Sequence, residues 1–168
     1  TTKRHDEWRS KQPSSVVTPD EWDTLLSIYG GLIDNPEASE ILRDGAPEAV
    51  VRLTIEDVAC QVRYDWLKDG FFADLKTTRS LDGFRRDALN YGYLDQLALY
   101  HMAAEGEFSR PPVFIACETQ FPFRCKVYAV PPALLMKHCE RVRGILRTYR
   151  QCEADMHWPT TLVPLEVF

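Results

Sequence analysis

Apolar positions in the first part of the chain recur at helical spacing and then switch to alternation. Trp22, Leu25, Leu26, Tyr29, Leu32 and Ile33 fall on one side of a helix, so the spacing predicts an amphipathic helix with that face buried. Thr18-Pro19-Asp20-Glu21 opens it: Thr18 and Glu21 have capping-box spacing and Pro19 suits the first helical position. Gly30-Gly31 weakens its middle, and Asn35-Pro36 restarts a short helix that ends near Gly45. Glu48 to Leu53 and Val58 to Leu67 then read as strands. Lys68-Asp69-Gly70 is a hairpin turn leading to a third strand, Phe71 to Lys76. Ser80 is placed to cap a helix through Leu89. A further helix carries Tyr93, Gln96, Leu97, Tyr100 and His101 and stops at Gly106. Val113 to Glu118 and Arg124 to Val130 predict a second hairpin. Pro131-Pro132 starts a long helix through about Arg150, with Leu135, Cys139, Val142, Leu146 and Tyr149 as its apolar stripe.

Helices, three strands, helices, two strands and a helix make an α/β (α+β) fold with a central mixed β-sheet flanked by helices. The 168 residues suffice for one core, with residues 1–17 a ragged polar segment and 18–168 a single domain. Hydrophobic residues at 45% and charged residues at 27% give a soluble globular profile. No apolar run approaches the roughly 20 residues of a membrane-spanning helix. The charged start carries no signal peptide, and its lack of Met suggests a piece of a longer chain. The net charge of −5 excludes a histone-like binder that works by bulk positive charge. A nuclease stays open, because catalytic carboxylates count as negative until a metal fills them. Five cysteines with no Cys-x-x-Cys argue against a disulfide framework and a zinc ribbon, and suit free thiols in a reducing cytoplasm.

The informative segment is Asp65, then Asp74-Leu75-Lys76, the one acid-x-Lys triplet in the chain. Residues 74 and 76 on a strand share a face, roughly 6–7 Å apart, and the hairpin returns Asp65 beside them. Two carboxylates offer the hard oxygens that Mg²⁺ prefers, and a neighbouring Lys can orient water and stabilise developing charge. A cross-strand surface charge pair is the bland alternative. Against it stand the apolar company of Phe71, Phe72, Ala73 and Leu75, the second Asp, and the Gly92-Tyr93-x-x-Gln96-x-x-x-Tyr100 helix that follows.

These residues resemble the PD-(D/E)xK nuclease superfamily, most closely the RecE-type (exonuclease VIII) and YqaJ-like phage recombination exonucleases, relatives of lambda exonuclease. The resemblance runs from about Thr18 to Trp158. It implies a restriction-endonuclease-like core in which Glu48, Asp65 and Asp74, with the Leu75 carbonyl, hold Mg²⁺, with Mn²⁺ as a substitute. Lys76 would activate water, and Gln96 would steady Lys76 or the scissile phosphate. Tyr64 stands where the motif usually has proline, and the Gly-x-x-x-His element of many such nucleases has no counterpart in this sequence. The cysteine spacings do not match the iron–sulfur pattern of some relatives, so no cluster is expected. The implied activity is exonucleolytic cleavage from double-stranded DNA ends in phage-type recombination or DNA repair, in a bacterial or phage-encoded cytoplasmic protein. Implied partners are a single-strand-annealing recombinase and further copies of the chain in a homo-oligomeric ring. An endonuclease or nickase, or a non-catalytic DNA-binding module, could occupy the same fold.

Arg79, Arg85 and Arg86, with Tyr93, are the expected DNA contacts beside Lys76. Lys137, Arg141, Arg143, Arg147 and Arg150 give the long helix a basic face, either solvated or bound to phosphate. His101, His138 and His157 share no ligand spacing, and Glu118 reads as an ordinary surface acid or an outer supporting one.

Overall fold

The computed structural model describes residues 17–68, 70–104 and 108–159. Asp69, Gly106 and most of the predicted N-terminal segment lie outside them. Helices α1 (Pro19–Ile33) and α2 (Pro36–Ile41) precede strands β1 (Ala46–Ile55), β2 (Val58–Lys68) and β3 (Phe71–Thr78). Helices α3 (Phe84–Asn90) and α4 (Tyr93–Met102) cross over to β4 (Val113–Glu118), followed by β5 (Cys125–Ala129) and α5 (Pro132–Ala154). The five strands lie in the order β1-β2-β3-β4-β5. Every neighbouring pair is antiparallel except β3 and β4, which run parallel, as a helical crossover demands.

Strand β4 is buried throughout, so the sheet is covered on both faces there. One core joins Val62, Tyr64, Phe72 and Phe114 to Phe84, Leu94, Leu97, Leu135 and Cys139 from α3, α4 and α5. The other joins Phe71, Ala73, Ile115 and Cys117 to Ala38 and Ile41 of α2, with Ile28 and Leu32 of α1 against them. Alternation along β3 therefore sends residues 72, 74 and 76 toward α3–α5 and residues 71 and 73 toward α1–α2.

Three local expectations change. The capping box of α1 forms, with Thr18 Oγ1 accepting from the Glu21 amide at 3.2 Å and the Thr18 amide donating to Glu21 Oε2 at 2.7 Å. Its predicted buried face is largely exposed: Trp22, Leu25, Leu26, Tyr29 and Ile33 are 47–60% accessible. The apolar stripe is wider than the strip of sheet that meets it, which Ile28 and Leu32 already cover. Ser80 does not cap α3. Leu81 is buried, its amide donating to Glu118 Oε1 and its carbonyl accepting from the Tyr128 hydroxyl. That anchor postpones the helix until Gly83, which caps it without a side-chain bond. The last helix passes Arg150 and ends at Ala154.

Candidate active site

Pairing between β2 and β3 covers only Trp66↔Ala73, Leu67↔Phe72 and Lys68↔Phe71. Beyond Ala73 the strands part, and the Asp65 side chain enters the gap. Its Oδ2 accepts from the Leu75 amide at 2.8 Å, where a backbone carbonyl of β2 would otherwise stand. Asp65 is also where β2 changes faces. Val62 and Tyr64 belong to the α3–α5 core, Trp66 packs on the opposite one, and Leu67 returns to the first.

Asp74 follows Phe72 on the α3–α5 face, opposite Phe114 of β4, and is 1% exposed. Lys76 forms an ion pair with its Oδ2, and the Lys76 Nζ lies 5.0 Å from the centre of the Tyr93 ring. Tyr93 is delivered there by Gly92, whose left-handed φ of 70° turns the chain into α4. Burial raises the Asp74 pKa above the ordinary carboxylate value. The Lys76 ammonium opposes the shift and nearby Asp65 adds to it. Lys76 apart, neither Asp74 oxygen has a hydrogen-bond partner among the described residues. A buried carboxylate with the Lys76 ammonium as its one partner among the described residues fits a hard cation, which would satisfy its remaining lone pairs.

Glu48 stands opposite Asp65, between the pairs Pro47↔Trp66 and Ala49↔Tyr64. Its φ of 56° is left-handed, and its exposed carboxylate pairs with Arg63 Nη1 at 2.9 Å. The structure therefore brings Asp65, Asp74, Leu75 and Lys76 together and directs the Glu48 side chain to Arg63. Among the described residues no three His, Cys, Asp or Glu side chains are grouped to hold a metal. Gln96 Nε2 donates to the Tyr100 hydroxyl at 3.2 Å and makes no hydrogen bond to Lys76 among the described residues. Tyr64, at the proline position of the motif, is buried and donates to the Tyr100 carbonyl at 2.9 Å, tying the active hairpin to α4.

The two basic regions differ. Arg79, Arg85 and Arg86 are exposed, and neither Arg79 nor Arg85 has an ion-pair partner among the described residues. Arg86 only approaches its neighbour Asp87, at 3.8 Å. On α5, Arg143 and Arg147 both bind Glu56, Arg150 binds Asp57 and Arg141 binds Asp95. Glu56-Asp57 is the left-handed tip of the β1–β2 hairpin, so four of the helix's cations are committed to holding it and α4.

Sequence reasoning missed two polar anchors, one buried and one half-buried. Glu118 is 3% exposed rather than a surface acid, clamped by Arg124 and by the Leu81 amide. Asp95 bridges α4 to α5 through His138 Nδ1 at 2.6 Å and Arg141 Nε at 3.0 Å. The partners lie far apart in sequence, and no local pattern announces them.

A family model described as "PDDEXK-like domain of unknown function (DUF3799)" matches residues 5–162. Among curated proteins none matches. A crystal structure of a candidate exonuclease from Eubacterium rectale superimposes with a TM-score of 0.71 at 11% identity, covering 97% of this chain and 71% of that one. At that identity the likeness shows the fold. The structure of SSO0001, at 16% identity and a TM-score of 0.38, covers 95% of this chain and 82% of its own and carries no argument.

Proposed function

The chain belongs to the PDDEXK-like domain family (DUF3799), and from that membership we propose that it is a Mg²⁺-dependent deoxyribonuclease that hydrolyses phosphodiester bonds from duplex ends. The observation that carries this reading is the buried, bare Asp74 carboxylate pressed against Lys76, with Asp65 beside it on the Leu75 amide. Asp74 and Asp65, with the Leu75 carbonyl, are the oxygen groups that would hold Mg²⁺. When bound, the ion would supply a Lewis acid for a phosphate oxygen and a bound water more acidic than bulk water.

The protein's own groups do the rest. Lys76, held by Asp74 and the Tyr93 ring, keeps a fixed positive charge where negative charge grows on the phosphate, and orients the attacking water. Asp65 fixes the β3 backbone at Leu75 and so the direction of its neighbours. Gln96 steadies Tyr100, which holds Tyr64 of the hairpin, and so acts on the site through packing. Arg79, Arg85 and Arg86 hold backbone phosphates. Exonuclease mode, a homo-oligomeric ring, a single-strand-annealing partner and a role in phage-type recombination or repair complete this reading. They rest on the resemblance of the Asp65, Asp74-x-Lys76 and Gly92-Tyr93-x-x-Gln96 residues.

The test separates metal binding from cleavage. Asp74→Ala removes a hard oxygen ligand, so Mn²⁺ affinity by calorimetry and digestion of an end-labelled duplex should be lost together. Lys76→Ala leaves the carboxylates and removes a like charge, so Mn²⁺ should bind as well or slightly tighter. Cleavage should fall by roughly 10²–10³, the scale for losing one group that stabilises a transition state. Wild-type digestion by Lys76→Ala would sink the nuclease assignment. Cleavage of circular as well as linear duplex would replace the exonuclease with an endonuclease.

A further inference from the structure

We infer that Tyr91 is a stacking platform for an unpaired nucleobase of the DNA strand entering the site, an inference that rests on the nuclease reading above. Tyr91 is 69% exposed, although it is a large aromatic residue. Its ring centre lies 5.9 Å from that of Tyr93, with 39° between the planes. The Tyr93 ring lies in turn 5.0 Å from Lys76 Nζ. Two rings therefore lead from solvent to the reactive ammonium.

The platform is held in place before any ligand arrives. The Tyr91 amide donates to the Asp87 carbonyl at 2.9 Å, ending α3, and Gly92 then turns left-handed into α4. Tyr93 is wedged against Phe84 and Phe114 as well, with ring centres 6.3 Å away in each case. Stacking on Tyr91 would thus order little further chain, which favours binding.

The surroundings select the ligand class. Arg85 and Arg86 are exposed on α3, the helix that Tyr91 ends, in a chain of net charge −5. An exposed π-face at the end of a helix that carries two exposed arginines suits a base joined to its phosphate. Every base has such a face, so the contact is blind to sequence. A base inside a duplex keeps both faces against its neighbours. The contact therefore requires a frayed or single-stranded terminal nucleotide, and the enzyme is expected to favour ends that can open.

The test uses the full chain with chelator present, so that nothing is cut, and an oligonucleotide duplex carrying 2-aminopurine in an unpaired terminal position. Binding to the wild type should quench the fluorophore by stacking. Tyr91→Ala should abolish the quench and weaken binding about 5- to 150-fold, the scale of one base stacked on an aromatic ring. The salt dependence should not change, because no charge is removed. Tyr91→Trp should restore both quench and affinity, and Tyr91→Leu neither. Equal quenching and affinity in wild type and Tyr91→Ala, with DNA still bound, would overturn the platform and leave the nuclease reading intact. Absence of DNA binding by the wild type at low salt would overturn both. Because the side chain is mostly solvated, Tyr91→Ala should melt with the wild type, which a thermal scan checks.

Discussion

Asp74 and Glu118 are two nearly inaccessible carboxylates whose surroundings push them in opposite directions. Glu118 accepts from the Leu81 amide at 3.1 Å, the Arg124 amide at 3.3 Å, and Arg124 Nε and Nη2 at 2.9 and 2.7 Å. The Arg124 side chain does most to hold its pKa down to about 2, and the two amides assist. Asp74 has one ammonium and no other donor among the described residues, so burial wins and its pKa rises. A fully satisfied buried acid stabilises the fold, whereas a bare one costs stability and is kept for what it can bind. The sign for Glu118 follows from its depressed pKa. Its contribution is complete above the unfolded value near 4.5 and is lost as pH falls toward about 2. Glu118→Gln should therefore lower stability at pH 7 by about 2 kcal/mol, the scale of a charge-assisted hydrogen bond. That is a melting temperature roughly 4–8 °C lower. The gap between variant and wild type should narrow as pH falls below 4.5 toward about 2, which paired thermal melts at pH 7 and pH 3 would measure. A gap that stays constant with pH would mean that the carboxylate's charge contributes nothing.

At the scale of elements, the glycine pair of α1 shows how sequence and structure divide the information. Both glycines read as helix weakeners, and the helix runs through them to Ile33. A Cβ on Gly30 would meet nothing within 4 Å, whereas one on Gly31 would lie 1.8 Å from the Phe123 carbonyl oxygen. Gly30→Ala should then stabilise the protein by about 0.5–1 kcal/mol through helix propensity. Gly31→Ala should destabilise it, because α1 must lift off the β4–β5 loop. Urea denaturation of the two variants should move in opposite directions, and a shared direction would contradict the close approach. Strands and caps were legible because alternation and capping chemistry are local. Phe71 to Lys76 and the Thr18–Glu21 box sit where their patterns place them. The exposure of Trp22 and Tyr29 was not legible, since periodicity tells which residues share a side but not how much of that side a neighbour covers. The start of α3 failed for a related reason: Glu118, 37 residues away, claims the Leu81 amide. At the candidate site, Asp65, Asp74 and Lys76 were visible as a strand-and-hairpin pattern. The turning of Glu48 toward Arg63 depends on one left-handed residue that the sequence does not mark.

If the proposed function holds, the question for the whole molecule is how a chain of net charge −5 would hold a polyanion. Global attraction cannot do it, so binding must come from a few cations that are not already neutralised. Arg143 and Arg147 share Glu56, whose side chain is 20% exposed, and hold its pKa below the ordinary value. Their charge is committed to joining α5 to the β1–β2 hairpin. Arg85 and Arg86 lie on α3, the helix that leads into the Tyr93–Lys76 pair, and among the described residues have no such commitment beyond the distant Asp87 contact. Each phosphate neutralised contributes about 0.9 to the slope of log affinity against log salt on duplex DNA. Arg85→Ala and Arg86→Ala should therefore each weaken DNA binding and reduce that slope by about 1. Arg143→Ala and Arg147→Ala should leave the slope unchanged and lower the melting temperature instead, because Glu56 loses a partner. The measurement is fluorescence anisotropy of a labelled duplex across a salt series, beside a thermal melt of each variant. If Arg147→Ala reduced the slope as much as Arg85→Ala, DNA would have to cross the outer face of α5. The α3 path to Lys76 would then be wrong.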